Sequence, residues 1–508
     1  MNALDRLIAA VSPAAGLKRL AARSGIQAFE AAKITRTHKA ARQTRSADSS
    51  LQQDAESLRG QSRKLDEDHD LVTGIFDRLE ERVVGGAGIA VEPLPLDHAG
   101  NIHLGFAAQI KDAWAEWSLR PETSGELSRA QMERLVCRTW LRDGEALAQL
   151  LMGTVPNFKH LHAVPFSLEL LEPDYLPWNY NDEAKGICQG ITRDAWRRVK
   201  GYNLLKRHPG SVLGFSMSTD TKFVPAEQML HIAYRKRLGQ NRGQPLLHAV
   251  LTRLADIKDY EESERVAARI SAALAMFIKK GSTDDYVVAP TTAGKDGQAT
   301  GARSIPIAPG MVFDGLLPGE DVGMIESNRP SQFVESFRNG QLRAVSAGTR
   351  IGYSTATRSY DGTYSAQRQE LVESQLGYDL LQREFIDYWS RKVYRTFIQM
   401  GLLSGVLKPP GDVNMDSVFS AVYQGPVMPW INPVHEANAW EALVKAGYAD
   451  EAEVVRARGR NPQELKRSRE SEIANNRAKG LVFSSDAYHQ FYGKTTINAD
   501  LSGTKKQT

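Results

Sequence analysis

Residues 330–403 read PSQFVESFRNGQLRAVSAGTRIGYSTATRSYDGTYSAQRQELVESQLGYDLLQREFIDYWSRKVYRTFIQMGLL. The stretch predicts a helix over 330–352, a break at TRSYDGTYS (357–365) and a second helix from about Ser365 to Leu403. Pro330 suits a first helical turn, where its missing N–H costs nothing. Phe333, Phe337 and Leu342 form a rough apolar stripe that Gly340 and Gly348 weaken. Asp361-Gly362 is the turn signal. In the second helix Tyr378, Leu381, Phe385, Trp389, Val393 and Phe397 recur at spacings of three and four, which marks one buried face. At 1.5 Å per residue such a helix spans about 60 Å. A column of that length belongs in something larger than one small domain.

Outward from this column, the chain has 508 residues, 42% of them hydrophobic and 24% charged, so it is globular and long enough for several domains. The net charge of +4 does not mark a strongly basic nucleic-acid binder. Two cysteines, Cys137 and Cys188, make neither a disulfide framework nor a four-ligand zinc site. The longest apolar run, near Ala272–Ile278, is far short of the roughly 20 residues a membrane span needs. No secretory signal is read at the start.

Before the column, residues 1–64 are rich in Ala, Arg and Lys, with Lys18, Arg19, Arg23, Lys33, Arg36, Lys39, Arg42 and Arg45 against Glu30. They read as a basic arm, either solvated or lying on an acidic or phosphate partner. Residues 65–92 read as one helix stopped at Gly85-Gly86, then a strand. Residues 103–150 carry helices with Trp114, Trp117, Leu135, Trp140 and Leu141 as expected core. Between Ala146 and His231 short β-like runs appear: LAQLLMG, FSLELLEP, GICQGI, VLGFSM and MLHIAY. Residues 235–280 read as mostly helical, with Phe277 on the last apolar turn. A loop over 281–304 and the strand-like IPIAPGMVFDGLLPGEDVGMI follow. After the column, QGPVMPWINPV (424–434) is rich in proline. A helix from His435 to about Arg458, a last helix over 462–479 and a polar tail complete the chain. The fold class is α+β.

Catalytic signatures are absent. Gly493-Lys494-Thr495 ends like a phosphate loop, but Tyr488 stands where that loop needs glycine. GGAG at 85–88 follows a helix and reads as a turn. No H-E-x-x-H, G-x-S-x-G or paired C-x-x-C occurs. His160 and His162 lack a third ligand nearby, so no metal or cofactor is expected.

Several stretches together resemble the lambda-type family of tailed-bacteriophage portal proteins. They are RKLDEDHDLVTGIFDRLEERVVGGAGI from Arg63, LRDGEAL at 141–147, ITRDAWRRVKGYNLLKRHPG at 191–210 and IGYSTATRSYDGTYSAQR at 351–368. Ile431–Glu472 adds a C-terminal match. The most specific is MLHIAYRKRLGQNRGQPLLHAVLTRLADIKDYEESERVAARISAALAMFI at 229–278, with Gly-Gln-x-Arg-Gly ahead of a long helix. The resemblance implies a non-enzymatic ring, a dodecamer in the virion, at one capsid vertex. Double-stranded DNA is packaged and ejected through it. The implied partners are the terminase large subunit, the major capsid protein and scaffold, and the head–tail connector or adaptor, with no membrane. Assembly in the host cytoplasm is implied. A metal-dependent nucleic-acid processing enzyme and another capsid or tail structural protein are the alternatives.

In that scheme 65–328 is the wing body and 329–385 holds the stem helices with a small clip turn near 350–365. Residues 386–434 return to the wing and include a tunnel loop, 435–480 form the crown helices, and 481–508 are a flexible tail. Tyr353, Arg358, Tyr360 and Tyr364 are the candidate partner-binding residues of the clip, unless that turn is simply packed. Val427, Met428, Trp430 and Asn432 are the candidate tunnel residues, in a segment (425–434) without a charged side chain. Trp430 anchoring the loop into the wing core is the competing expectation.

Overall fold

The structure, a computed structural model, describes residues 44–211, 220–272, 276–280, 320–324, 333–428 and 430–480, with a few single residues and short pieces nearer the ends. Most of the basic arm before 44, the VLGFSM run, the loop at 281–304 with the strand-like residues up to 319, Pro330 and most of the tail lie outside the described residues.

In chain order the elements are α1 Ala47–Asp68, α2 Asp70–Val83, β1 Ala90–Pro93, α3 Leu104–Trp117, α4 Arg129–Asp143, β2 Glu145–Met152, β3 Phe166–Leu171, β4 Ile187–Cys188, β5 Ile191–Arg193, β6 Val199–Leu205, β7 Thr221–Pro225 and β8 Met229–Ala233. Then come α5 Leu251–Ala272, β9 Met276–Lys280, β10 Glu320–Met324, α6 Val334–Thr349, α7 Tyr353–Thr357, α8 Tyr364–Phe385, a π-helical segment Ile386–Ser390, α9 Arg391–Leu403, β11 Ala421–Gln424, α10 Pro433–Lys445, α11 Glu451–Ala457 and α12 Pro462–Ala478. This is the α+β class. A three-stranded antiparallel sheet runs β3-β2-β8 and a four-stranded meander runs β4-β5-β6-β7. β1 pairs with β11 across more than three hundred residues, Ala90 opposite Gln424, which ties the two ends of the body together.

The core forms where α2, α3, α4 and the β2 sheet close around α8, the π segment and α9. Trp114 and Trp117 stack at 4.9 Å, Trp117 stacks on Phe166 at 5.2 Å, and Phe397 sits edge-on to Trp114 at 5.0 Å. Tyr394, Phe397 and Ile398 are fully buried, so the far end of the long column is body core. Side chains of this size each contribute about 1.5–3 kcal/mol on burial, and they anchor the column. From Tyr364 to Leu403 the helix is continuous, about 60 Å long. Thr363 caps it by accepting the Ala366 N–H.

Several expectations are corrected. The arm's last part is not an arm: α1 crosses residue 64 and buries Ala47, Leu51, Ala55, Arg59, Ser62 and Asp66 along one face. The helix expected over 65–84 is two, broken at His69, whose backbone is extended. Leu135 is exposed, because α4 turns Met132, Val136, Trp140 and Leu141 inward instead. Phe277 lies on β9 opposite Gly323 of β10, not on a helix. The helix expected over 435–458 is split, because Gly447 takes a left-handed conformation that ends α10. The helix expected over 330–352 is described from Val334 and ends at Thr349, where Arg350 turns left-handed. The short helix α7, Tyr353–Thr357, lies between that end and the expected break. Phe333 and Phe337 of its stripe are exposed, and Leu342 is buried.

Candidate functional site

Two regions were candidates from sequence, and the structure adds two more. The first is the turn between α7 and α8. Arg358 ends α7 in a left-handed conformation, φ 59°. Ser359 Oγ bonds Asp361 and Gln367 reaches back to the Tyr360 carbonyl, so the turn is held by its own side chains. Arg358, Tyr360 and Tyr364 point to solvent, with Tyr360 61% and Tyr364 57% exposed. Tyr353 does not join them. It is half-buried against the core, with the Arg343 guanidinium 5.4 Å from its ring centre. Beside the turn, Glu370 accepts the Ser354 N–H at 2.7 Å and hydroxyl at 2.8 Å, which fastens α7 to α8. A Cβ on Gly352 would overlap the Glu370 carboxylate and displace it from Ser354. A groove of about 640 Å³ opens along this junction, lined by Arg343, Arg350, Glu370, Glu373 and Leu380 among others.

The second is the uncharged loop before α10. Trp430 does not enter the body core; it is half-buried, with Arg458, the residue that ends α11, stacked at 4.8 Å. Asn432 caps α10, its side chain accepting the His435 N–H. Val427 and Met428 are half-buried. Gln382 of α8 donates to the Pro426 carbonyl at 3.2 Å, which seats the loop on the column. Val427, Met428, Trp430 and Asn432 are therefore together in one loop.

The third is an apolar stripe on the outer face of α8. Buried positions Ser374, Tyr378, Leu381 and Phe385 face the body. Val372, Leu376 and Leu380, spaced by four, face away and are 43%, 64% and 54% exposed.

The fourth was not anticipated. Glu145, fully buried, accepts from Arg242 Nε at 2.8 Å, Arg59 Nη2 at 2.9 Å, His231 Nε2 at 3.0 Å and the Gly243 N–H at 3.1 Å. Arg242, itself fully buried, stacks on Trp178 at 4.0 Å and donates to the Leu176 and Gln189 carbonyls. One shell out, Arg63 bonds Asp143 at 2.7 Å and Asp174 at 2.5 Å, and Arg138 bonds Asp66 at 2.6 Å. Three of the stretches that carry the resemblance thus meet at one point: Arg63 and Asp66 from the first, Asp143 and Glu145 from LRDGEAL, Arg242 and Gly243 from GQNRG. The glycines have a physical reason. A Cβ on Gly243 would overlap the Gly144 carbonyl, and one on Gly144 would overlap the Gln244 backbone. Burial alone would raise the Glu145 pKa, but the Arg242 charge and the His231 and Arg242 hydrogen bonds outweigh it and hold it well below the usual range. Burial, with the Arg235 and Arg242 charges, lowers His231 to about 4 despite its bond to Glu145. This cluster is closed to solvent and can fasten helices, not admit a substrate.

Glu172, Asp174 and His208 bring ligand atoms within 4.8 Å of one another. Asp174 already bonds Arg59 and Arg63, whose charges oppose a cation there. His160 bonds the Gly153 carbonyl and Ser167, and His162 the Arg120 carbonyl, so each is engaged within the fold. Among the described residues no helix is long and apolar enough to cross a membrane.

Comparison with known proteins gives one family match. The model of the phage portal protein family, lambda family, matches residues 33–382. No curated protein matches the chain. Among solved structures, chains of gene transfer agent particles are similar at 14% identity. One is from the virion of a native particle (TM-score 0.44, 80% of this chain and 94% of that one). Others are from the neck of an empty particle computed with C6 symmetry (0.46, 80% and 94%) and the neck of a native particle computed with C12 symmetry (0.40, 79% and 94%).

Proposed function

This chain belongs to the lambda family of phage portal proteins, and on that premise we propose that identical copies close into a ring at one capsid vertex, through which double-stranded DNA enters and leaves the virion. The observation that carries the ring is the α8 stripe. Val372, Leu376 and Leu380 leave apolar surface on a column whose opposite face is already body core. A second copy covers that surface, and repeated head-to-tail contacts of this kind close when the rotation closes. The dodecamer is the expected size. The chain acts as a structural part without catalysis of its own, with the major capsid protein and scaffold around it. Native mass spectrometry and electron microscopy of the purified chain test this. Closed rings with a central hole are expected; monomer at every concentration would refute it.

The α7–α8 turn is the clip in this reading, and it docks the terminase large subunit during packaging and the connector afterwards. Arg358, Tyr360 and Tyr364 support this by projecting from a self-braced turn, and residues of these types anchor interfaces. Arg358→Ala with Tyr360→Ala is expected to leave rings intact and to lower motor-driven packaging or connector attachment at least tenfold. Normal packaging and normal attachment in that variant would remove the assignment.

The loop carrying Val427, Met428, Trp430 and Asn432 faces the DNA. What supports this is its lack of charge: each lysine or arginine on a phosphate adds a salt-dependent grip, and a conduit must let the duplex slide. Met428→Lys is expected to slow translocation, most at low salt, where attraction is least screened. Asn432→Asp, which keeps the α10 cap, is expected not to retard DNA. Equal packaging rates for Met428→Lys and wild type at low salt would remove the loop from the channel.

A further inference from the structure

The β5–β6 hairpin and the loop after β8 form one surface. Arg197 Nη2 donates to the Gly239 carbonyl at 3.1 Å, joining the two. Between them they carry Arg193, Arg197, Arg198, Arg235, Lys236 and Arg237. None of these six makes an ion pair among the described residues, whereas the arginines of the buried cluster are all paired. The Nε of Arg193 is buried without a partner. Burial and the neighbouring Arg235 and Arg197 charges hold its guanidinium below the usual value. At the tip stands Trp196, 85% exposed, and beside it Leu238, fully exposed. The tip is rigid: the Asp194 carboxylate accepts the N–H groups of Trp196 and Arg198 at 2.9 and 2.8 Å.

The same chain carries a complementary patch. On α5, Asp256, Asp259 and Glu262 lie on the exposed face without an ion-pair partner among the described residues, with Val266 41% exposed one turn on. The two patches are held at opposite ends of α1. Arg237 donates to the Arg45 carbonyl and Asn241 to Asp48 at its start; Lys258 of α5 donates to the Asp68 carbonyl at its end. The 22 residues of α1 separate those anchors by about 33 Å. The patches cannot neutralise each other within one chain.

We propose that the basic hairpin face, with Trp196 and Leu238 as apolar anchors, docks on the acidic face of α5 in the next copy of the chain. The contact rests on the ring reading and deepens it, by naming a second interface besides the α8 stripe. It is heterologous, as ring closure requires. Complementary charge speeds such encounters and fixes their register. A duplex backbone would use the arginines and leave the protruding Trp196 and Leu238 in water; a protein surface that sets Val266 one turn beyond its carboxylates covers them.

The test is charge reversal on exposed residues that make no ion pair in the fold, although the Lys236 ammonium also lies over the Tyr234 ring, 4.7 Å from its centre. Arg198→Glu with Lys236→Glu, and separately Asp256→Arg with Asp259→Arg, are each expected to cut the assembled fraction at least tenfold at a concentration where wild type is fully assembled. Thermal melting checks that both remain folded. Combining all four substitutions in one chain is expected to restore rings, since every contact is again complementary. Single-patch reversals that assemble like wild type overturn the contact and leave the ring reading standing. So does a four-fold variant that stays unassembled. Reversals that spare rings but weaken binding of a short DNA duplex give the basic face to nucleic acid and overturn it too. A wild-type chain that never assembles overturns the ring reading and the contact together.

Discussion

Arg242→Ala should lower the unfolding free energy by about 3–5 kcal/mol, the usual cost of removing one partner of a buried ion pair. The cost arises because Glu145 would keep its charge in a site closed to water, with only Arg59, His231 and one N–H to hold it. Glu145→Gln removes the opposite charge and leaves Arg242 and Arg59 facing each other, so a similar loss is expected. Replacing both with well-packed apolar residues should cost less than either single change. Denaturant midpoints of the isolated chain measure all three; a single variant within 1 kcal/mol of wild type would show that the cluster is not the fastener of the body. Acidification should act in the same direction. His231 is held neutral in the fold with its pKa near 4, below its unfolded value, so the unfolded chain binds more protons as pH falls from about 6.5 towards 4. Glu145, also depressed, adds its loss below its own unfolded value near 4.5. Stability should therefore be full above pH 7, decline first through the histidine window and then more steeply. His231→Asn should flatten the upper part of that decline.

Leu376→Lys with Leu380→Lys should abolish rings and leave a folded monomer. Each leucine buried at an interface contributes about 1.5–3 kcal/mol, so losing two weakens each subunit contact by roughly two to four powers of ten. Every neighbour pair in a closed ring loses the same amount. Because both residues are more than half exposed in the single chain, thermal stability of the monomer should move by no more than about 0.5 kcal/mol. Analytical ultracentrifugation separates the two readouts. Rings at wild-type concentration would mean that the stripe is not an interface; loss of the fold along with the ring would mean that it belongs to the core.

The long column was legible because its buried residues are large, apolar and spaced by three and four. So were the β2, β3 and β8 runs, whose apolar content and turn boundaries mark strands. The α1 face was not. Its buried positions Arg59, Ser62 and Asp66 keep helical spacing but are polar, and a search for apolar periodicity passes over them. The buried cluster was hidden for the same reason: Arg63, Asp143, Glu145 and Arg242 read singly as solvated charges, and only tertiary contact pairs them. One signal was available. A glycine set beside a charge, in Asp143-Gly144-Glu145 and again in Arg242-Gly243-Gln244, marks backbones packed too closely for a side chain. Phe277 was misassigned because a short apolar run fits a strand or a helix equally well. Arg358, Tyr360 and Tyr364 were picked out by residue type, but their exposure depends on Thr363 and Gln367 bracing the turn, which no spacing announces.

The π segment Ile386–Ser390 has a consequence for how this column reads its two surroundings. A wide π turn holds more residues than an α turn, so each of its residues rotates the chain by less than the roughly 100° of an α-helical residue. Phe385, Trp389 and Val393 can thus follow one another at intervals of four and all point inward, where an uninterrupted α-helix would carry them steadily round its axis. The segment works as a vernier between two scales on one rod. Below it, the phase of α8 turns Tyr378 and Leu381 towards the body; above it, the phase of α9 seats Tyr394 and Phe397 on Trp114. Either scale can be revised without turning the other, provided the five residues between them keep their count.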